Sequence, residues 1–251
     1  MAARGFLGAG DLYIARYNAG TGTFDAFKGP YEAQKFEIKP NVELRELSSR
    51  GRTTYGQVIE TVPLPKPADF TVELTEVNRE SLSIALLGSD ATYTQASGTV
   101  TDEVIAAKKG AWVALSKEKI SSVVVTNSAA TVTYVAGTDY EVNARMGWIK
   151  ILTGSAIVED ASLKVDFAYA AVAGTLIKGA VNSQVRCKFR LDGVNFADGL
   201  PVIVDTYEAV IAADSAFDFL SSDFATVSMP GRLKTPAGYD APFTVKLLDT
   251  A

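Results

Sequence analysis

Apolar and polar residues alternate along several stretches of the chain, most clearly in 36–47 (FEIKPNVELREL), 70–75 (FTVELT) and 163–169 (LKVDFAY). Alternation with a period of two predicts β-strands that bury one face and leave the other in water. Shorter apolar runs, separated by turn residues at roughly 8–12-residue spacing, continue through 95–174, which is typical of a β-sandwich. The chain is therefore predicted to be mainly β.

Residues 36–64 predict one long β-hairpin. The apolar face of its first strand comprises Phe36, Ile38, Val42 and Leu44. SSRGR (48–52) predicts the loop and TTYGQVIETVPL the return strand, which PLPKP (63–67) is expected to end because proline cannot donate a ladder hydrogen bond. Such a hairpin is too long for a small sandwich to cover.

The hairpin also carries the one basic cluster on a predicted protrusion, formed by Arg45, Arg50 and Arg52 near Tyr55. A solvated tip would explain this cluster. Docking onto an acidic neighbouring subunit is the second interpretation, because Arg and Tyr are enriched at protein interfaces. Phosphate binding is a third interpretation.

Two further groups of charged residues lie on outward strand faces. Glu37, Glu43 and Glu73 would face water in a monomer, or line a negatively charged bore in a ring of subunits. Three cations share one face of a later strand: Arg186, Lys188 and Arg190. A solvent face with carboxylate partners on the next strand is favoured over a nucleic-acid stripe for these cations, since no aromatic residue interleaves with them.

One short helix is predicted in NRESLSIALLGS. Asn78 is a natural N-cap, Leu82, Ala85 and Leu86 share a face, and Gly88 provides the C-terminal stop.

The remaining segments suggest two domains. GFLGAG near the start predicts a flexible arm or turn, and 91–100 reads as a linker. One β domain is predicted from 1–92 and 175–251, with a second small β-sandwich domain inserted at 93–174.

Composition narrows the possible functions. A chain of 251 residues with 47% apolar and 21% charged residues is a folded composition. Its net charge of −5 argues against tight nucleic-acid binding, which depends on Lys and Arg neutralising phosphates. It has no histidine, the commonest general acid or base and a common metal ligand, so we expect no enzymatic activity and no cofactor or metal.

The sequence also predicts where in the cell the protein is made. No apolar run approaches the roughly 18–20 residues that span a bilayer, and no signal peptide is recognisable. The single cysteine, Cys187, lies at an apolar alternation position, which predicts a buried thiol in a protein made in a reducing cytosol.

Paired carboxylates are the remaining candidates for catalysis. They are Asp102 with Glu103, Glu159 with Asp160, and the set Asp214, Asp218 and Asp223. All lie in turn-like contexts with small neighbours, so solvated loop acids are the favoured interpretation. The two tryptophans, Trp112 and Trp148, could stack on a ligand, but core burial is favoured for Trp148.

The order of these features resembles the tail tube proteins (major tail proteins) of tailed bacteriophages. The features that carry the resemblance are the glycine-rich arm, the long hairpin, the strand and helix of ADFTVELTEVNRESLSIALLG, and the insert pattern VAGTDYEVNARMGWIKILTGSAIVEDASLKVDFAY. The insert is similar to Ig-like β-sandwich insertions in such proteins.

The resemblance implies a virion tail protein, made in the bacterial host cytoplasm, with a tail-tube β-sandwich or barrel fold. Its copies would form hexameric rings that stack into a tube, joined by the hairpin and arms, with the insert on the outer surface. Other tail proteins (tape measure, terminator, distal tail) would be partners. DNA would pass through an acidic lumen during ejection without specific binding.

Two other classes of function stay open. A β-sandwich adhesion or carbohydrate-binding module would need an exposed aromatic platform. A hydrolase would need one of the carboxylate pairs to act together.

Overall fold

The computed structural model describes residues 5–212 and 217–249. The chain is mainly β, with several antiparallel sheets and one short helix among these residues. The elements are β1 (Gly8–Asn18), β2 (Thr23–Phe24), β3 (Lys28–Ser48), β4 (Val58–Leu74), α1 (Arg79–Ala85), β5 (Ser89–Gln95), β6 (Gly98–Ala106), β7 (Trp112–Ala114), β8 (Ile120–Asn127), β9 (Tyr140–Asn143), β10 (Trp148–Ile151), β11 (Ser162–Tyr169), β12 (Val172–Lys178), β13 (Val185–Asn195), β14 (Leu200–Ile211), β15 (Val227–Leu233) and β16 (Phe243–Leu247).

The described chain divides into two compact units. Unit 1 runs up to Asp90 and resumes at Ile177, and unit 2 is Ala91–Leu176. Each unit has its own hydrophobic core. The chain passes between the units in β5 and β12, which pair with each other.

Six strands of unit 1 pair in a closed circuit. β13 pairs with β1, β1 with β3, β3 with β4, β4 with β15, β15 with β14, and β14 returns to β13, every pair antiparallel. β16 pairs with β14 and β2 with β1. The circuit is a β-barrel, and closure satisfies the strand edges that take part in it.

Apolar side chains that point inward from the circuit form the core of unit 1. Phe70 and Phe189 lie at its centre, with ring centroids 4.8 Å apart, and Leu12, Ile14 and Met229 surround them. Burial of such large side chains supplies most of the stabilisation of a domain of this kind.

Two predictions for unit 1 were wrong about strand limits. The second half of GFLGAG lies in β1, where Gly10 pairs with Gly193, and is not an arm or turn. A Cβ on Gly10 would lie 2.5 Å from the carbonyl oxygen of Asp192, so glycine is required by the close approach of two strands.

The run PLPKP does not end a strand, because β4 continues through it to Leu74. Pro63 and Pro65 pair with Leu44 and Val42 of β3. Because these prolines occupy alternate positions, the N–H groups that they lack all belong to one edge of β4. The hydrogen bonds between β4 and β3 are kept when this edge faces away from β3. The loop is also longer than predicted and runs from 49 to 57, including all of TTYGQ.

The predicted N-cap of α1 is confirmed. The side-chain oxygen of Asn78 accepts hydrogen bonds from the backbone N–H groups of Glu80 (3.0 Å) and Ser81 (2.9 Å). The Oγ of Ser81 accepts in return from the Asn78 backbone N–H (3.0 Å), which completes a capping box.

The buried face and the stop of α1 differ from the prediction. Ile84 and Ala85 are buried, whereas Leu82 and Leu86 are half-buried. Leu87, with φ 48°, takes the left-handed conformation at the end of the helix, one residue before the stop predicted at Gly88. Gly88 is needed for another reason, because a Cβ there would lie 2.6 Å from the carbonyl oxygen of Lys178.

Unit 2 consists of two three-stranded sheets, ordered β7-β10-β9 and β6-β11-β8, whose inward residues share one core. The alternation predicted for β11 is confirmed, since Leu163, Val165 and Phe167 are buried. The predicted linker at 91–100 is wrong: most of it lies in β5 and β6.

TVTYV (131–135) is one of the short apolar runs in 95–174 that predict strands. It makes a single bridge, between Thr133 and Thr126, as the chain leaves a turn in which Asn127 Oδ1 accepts from the Val132 N–H at 3.1 Å.

Candidate functional site

The outer part of the β3–β4 hairpin is paired only within itself. β1 contacts β3 no further along than Glu32, and β15 contacts β4 only from Asp69 to Leu74. Among the described residues, neither strand has another partner in 41–48 or 58–66. Both outer edges of this ribbon therefore present unpaired backbone groups, although the outer edge of β4 has no N–H donor at Pro63 and Pro65.

Apolar side chains of the ribbon are exposed on both of its faces. The one-face prediction holds at Phe36 and Ile38, which pack against the barrel core, but Val42 and Leu44 are more than half exposed. The exposed apolar residues of the ribbon are Val42, Leu44, Leu47, Val58, Ile59, Val62 and Leu64. A row of this kind on one protrusion is unusual for a surface that stays in water.

The loop at the end of the ribbon, residues 49–57, is ordered around Ser49. The Ser49 backbone donates to the Gln57 carbonyl (2.7 Å) and accepts from the Gly56 N–H (2.9 Å). The Ser49 hydroxyl accepts from the Gly51 N–H at 3.1 Å and lies 2.6 Å from the Thr54 hydroxyl. These contacts hold the loop without fixing the longer side chains that it presents.

Three of the four predicted tip residues lie in this loop. Arg50 and Arg52 are exposed and form no ion pair with a described residue, and Tyr55 is 79% exposed. Arg45 lies further back, in β3, where its Nε donates to Glu43 at 2.6 Å. We name the group Arg50, Arg52 and Tyr55 the tip cluster.

The three acids predicted to line a bore do not lie together. Glu37 and Glu73 share the outward barrel face with Lys35, whose Nζ is 2.9 Å from Glu37 and 3.9 Å from Glu73. The hydrogen bond to Glu37 raises the pKa of Lys35 above its ordinary value. Glu43 lies on the ribbon and pairs with Arg45 and Lys66.

The cation row on β13 has the carboxylate partners that were predicted. Arg186 pairs with Glu208 at 2.7 Å, and Arg190 makes a bidentate pair with Asp205 at 2.5 and 3.1 Å. Aromatic residues of β1 and β2 cover the row: the ring centre of Tyr17 lies 3.8 Å from the Arg186 guanidinium, and the ring centre of Phe24 lies 4.5 Å from Lys188 Nζ. Sequence reasoning missed these aromatic contacts because Tyr17 and Phe24 lie far from β13 along the chain.

The paired carboxylates have structural partners. Asp102 pairs with Lys164, Glu103 accepts from Ser116, and both Glu159 and Asp160 face Lys108. Asp218 and Asp223 accept backbone hydrogen bonds in their own loop, and Asp214 lies outside the described residues. Within 5–212 and 217–249, no group of His, Cys, Asp and Glu has the arrangement of a metal site.

The thiol of Cys187 is buried, as predicted. Burial raises its pKa to about 12, so the thiol stays protonated and unreactive at neutral pH.

A cleft of about 810 Å³ lies in unit 1. Most of its charges are paired with one another: Arg16 and Arg79 face Asp90, and Lys28 faces Glu80 at 3.1 Å. Burial, together with the Glu80 carboxylate, raises the pKa of Tyr31 to about 12. Asp25 also lines the cleft, and its Oδ1 accepts a hydrogen bond from the Asn18 amide at 3.4 Å.

The core burial favoured for Trp148 is wrong. Ile149 and Ile151 of β10 fill the core, so Trp148 and Lys150 point outward on the same sheet face as Trp112. Trp112 is 41% exposed, and Lys150 Nζ lies 4.8 Å from its ring centre.

One charged group was missed by sequence reasoning. Asp11 of β1 lies directly opposite Asp192 of β13 on one side and opposite Glu32 of β3 on the other. All three are exposed, and no described cation lies within ion-pair distance of them. The row combines three distant segments, so no local pattern could have revealed it. We call it the carboxylate row.

A shallow groove of about 400 Å³ adjoins the carboxylate row on the outside of the barrel. Tyr13, Phe27 and Ile203 supply its apolar lining, and Arg190 and Asp192 supply its polar lining. Arg190 is already paired with Asp205, so the free charge at this groove is negative.

Comparison with protein families assigns the chain to one family. A family model described as "Protein of unknown function UCP028589" matches residues 5–235. The chain belongs to this family. No curated protein matches the sequence. No helix in the described part of the chain is long and apolar enough to cross a membrane.

Proposed function

We propose that this protein is a structural subunit that assembles with copies of itself, in the manner of the phage tail tube proteins that its sequence resembles. The observation that supports this most strongly is the ribbon, in which both edges and many apolar side chains lack a partner in the described chain. No reactive centre is needed for such a role.

The physical argument rests on what an isolated ribbon would do in water. A two-stranded hairpin is marginally stable by itself, and exposed strand edges are templates for pairing with another chain. At roughly 3.3 Å per residue, residues 41–48 extend about 25 Å beyond the last pairing with the barrel body. Contact with neighbouring copies would satisfy the edges and bury the apolar side chains of this segment.

The proposal includes DNA passing through a central bore without specific binding. If the outward barrel face with Glu37 and Glu73 lines that bore, phosphate meets acids alternating with Lys35 rather than a continuous cation stripe. Phosphate would find no free cluster of cations there, so DNA could slide. Tape measure, terminator and distal tail proteins are the further partners on this proposal.

Electron microscopy and light scattering of the purified protein at rising concentration test the assembly. We expect rings or tubes. A variant in which Asn-Gly, a two-residue hairpin turn, replaces residues 49–57 should stay folded but lose assembly. A sample that remains monomeric at every concentration, including beside its tail partners, would refute the proposal.

A second candidate function, carbohydrate binding, is favoured by one observation. Trp112 and Trp148 lie on the same outward face of unit 2, beside Lys150 and Glu141, which pair at 2.5 Å. Exposed indoles with polar neighbours can stack on sugar rings. A glycan array compares the protein with Trp148→Ala and Trp112→Ala. Binding that both variants lose would support this function, and an array without binding would exclude it.

A further inference from the structure

We infer that the groove lined by Tyr13, Phe27 and Ile203, together with the carboxylate row, receives the tip cluster of a second copy of this chain. The inference rests on the proposed function and identifies the two surfaces that join. Both surfaces lie in unit 1.

The first step in the argument is electrostatic. Directly opposed like charges on neighbouring strands destabilise a sheet. Asp11, Asp192 and Glu32 occupy facing positions on three adjacent strands, and none forms an ion pair with a described residue. Arg190 attracts Asp192 only at longer range, because its guanidinium is paired with Asp205. The fold therefore carries a local repulsion that a cation from outside the subunit would relieve.

The second step concerns the cation. Arg50 and Arg52 are the exposed arginines of the tip loop, and they too have no carboxylate partner in the described chain. Guanidinium groups bind carboxylates through two parallel hydrogen bonds, which gives direction as well as attraction. A metal ion is a weaker candidate, because these acids are not among any group arranged to hold one.

The third step is apolar complementarity. Tyr55 is the large side chain of the tip, and the groove offers Phe27, 45% exposed, with Tyr13 and Ile203 beside it. An aromatic anchor in a pocket surrounded by charged pairs is the usual arrangement of an interface hot spot. The tip and the groove are different surfaces, so the contact is head-to-tail and extends from one copy to the next.

Charge reversal tests the pairing. Arg50→Glu/Arg52→Glu and Asp11→Lys/Asp192→Lys should each weaken assembly at least tenfold, measured by sedimentation. Mixing the two variants should restore assembly, because each reversed tip meets a reversed groove on the other variant. Arg145→Glu/Lys178→Glu makes the same charge change as the tip variant at exposed positions elsewhere, and it should assemble like the wild type.

Stability provides an independent readout. Asp11→Asn removes the central charge of the row, so we expect a higher urea midpoint for the monomer together with weaker assembly. If the carboxylate row served only to stabilise the fold, Asp11→Asn would lower the urea midpoint instead. A rise in the thermal midpoint with Ca²⁺ alone, absent from Asp11→Asn, would show that the row takes a cation and would overturn the inference.

Cysteine capture locates the contact directly. Tyr55→Cys and Phe27→Cys, mixed and treated with diamide, should form a disulfide-linked dimer that neither variant forms alone. Cys187 is buried and should not compete. Wild-type assembly with no dimer and no effect of charge reversal would refute this inference while leaving the proposed function intact. Absence of wild-type assembly would refute both.

Discussion

Arg186 donates a hydrogen bond from Nε to Oε1 of Glu208 at 2.7 Å, across neighbouring strands of the barrel. The Glu208 side chain is only 3% exposed, and Lys234 Nζ approaches it at 3.4 Å. The ring of Tyr17 covers the guanidinium at 3.8 Å. One buried carboxylate thus joins β13, β14 and the end of β15 at a point where the β13–β14 register shifts.

Replacing Glu208 by Gln should lower the free energy of unfolding by about 1–3 kcal/mol, because it leaves Arg186 without its charged partner. Urea denaturation at pH 7 measures the difference. Glu141→Gln is the matched control, since the Glu141 side chain is 53% exposed and its pair with Lys150 should be worth under about 0.5 kcal/mol. Equal losses of unfolding free energy in the two variants would contradict the expectation that burial of Glu208 makes its ion pair the stronger one.

The difference in free energy of unfolding between wild type and Glu208→Gln should depend on pH. Burial acts to raise the pKa of Glu208, but the hydrogen bond and charge of Arg186, helped by Lys234, outweigh it and hold the pKa below its ordinary value. A carboxyl with a lowered folded-state pKa stabilises the fold fully above its unfolded-state pKa. That contribution disappears as the pH falls through the folded-state value, so the gap between wild type and Glu208→Gln should close in acid.

Gly10→Ala should destabilise unit 1 by about 1–3 kcal/mol, since the new Cβ would meet the Asp192 carbonyl oxygen at 2.5 Å and backbone would have to move. Gly174→Ala, also within a strand, is the control, because no atom lies within 4 Å of the new Cβ. It should be neutral or stabilising by about 0.4–1 kcal/mol. Thermal unfolding monitored by circular dichroism distinguishes the two outcomes.

Features that depend on residues close together along the chain could be predicted from the sequence, and features that depend on residues far apart along the chain could not. The alternation Leu163, Val165 and Phe167 identified a buried strand face because a strand's own period determines it. The cap at Asn78 was predictable for the same reason, as its partners lie within three residues. By contrast, the need for glycine at Gly10 depends on the register of β1 against β13, which no local pattern encodes.

In the candidate site, too, the local features were predicted and the long-range ones were not. The sequence indicated a basic tip with Arg50, Arg52 and Tyr55, because a loop between two alternating runs is a local signal. It did not indicate the carboxylate row, whose members lie on β1, β3 and β13. The outward position of Trp148 was also missed, since a short run such as WIKIL does not reveal which alternate set faces the core.

Leu44→Lys combined with Val42→Lys should change monomer stability by less than about 0.5 kcal/mol per site, because both side chains are already exposed. We expect the same double variant to weaken assembly strongly, as it places charge on a face that a neighbour would bury. Sedimentation velocity across a concentration series measures this. Val104→Lys, at a similarly exposed strand position in unit 2, is the control and should assemble normally.

Removal of the segment 96–171 should leave unit 1 folded. The core of unit 1 contains only residues of unit 1, so the deletion opens no cavity in it. A short Gly-Ser turn between β5 and β12 would keep those two strands paired.

Cooperative thermal unfolding and a far-ultraviolet β-sheet spectrum are the expected results for the shortened chain, together with assembly like that of the full chain. The near-ultraviolet spectrum is not a suitable measure, because the deletion removes Trp112 and Trp148. Replacement of Phe70 by Ala, which empties the centre of the unit 1 core, is the contrasting variant and should cost about 3–5 kcal/mol. A shortened chain that unfolds as completely as that variant would show that unit 1 depends on unit 2 for its stability.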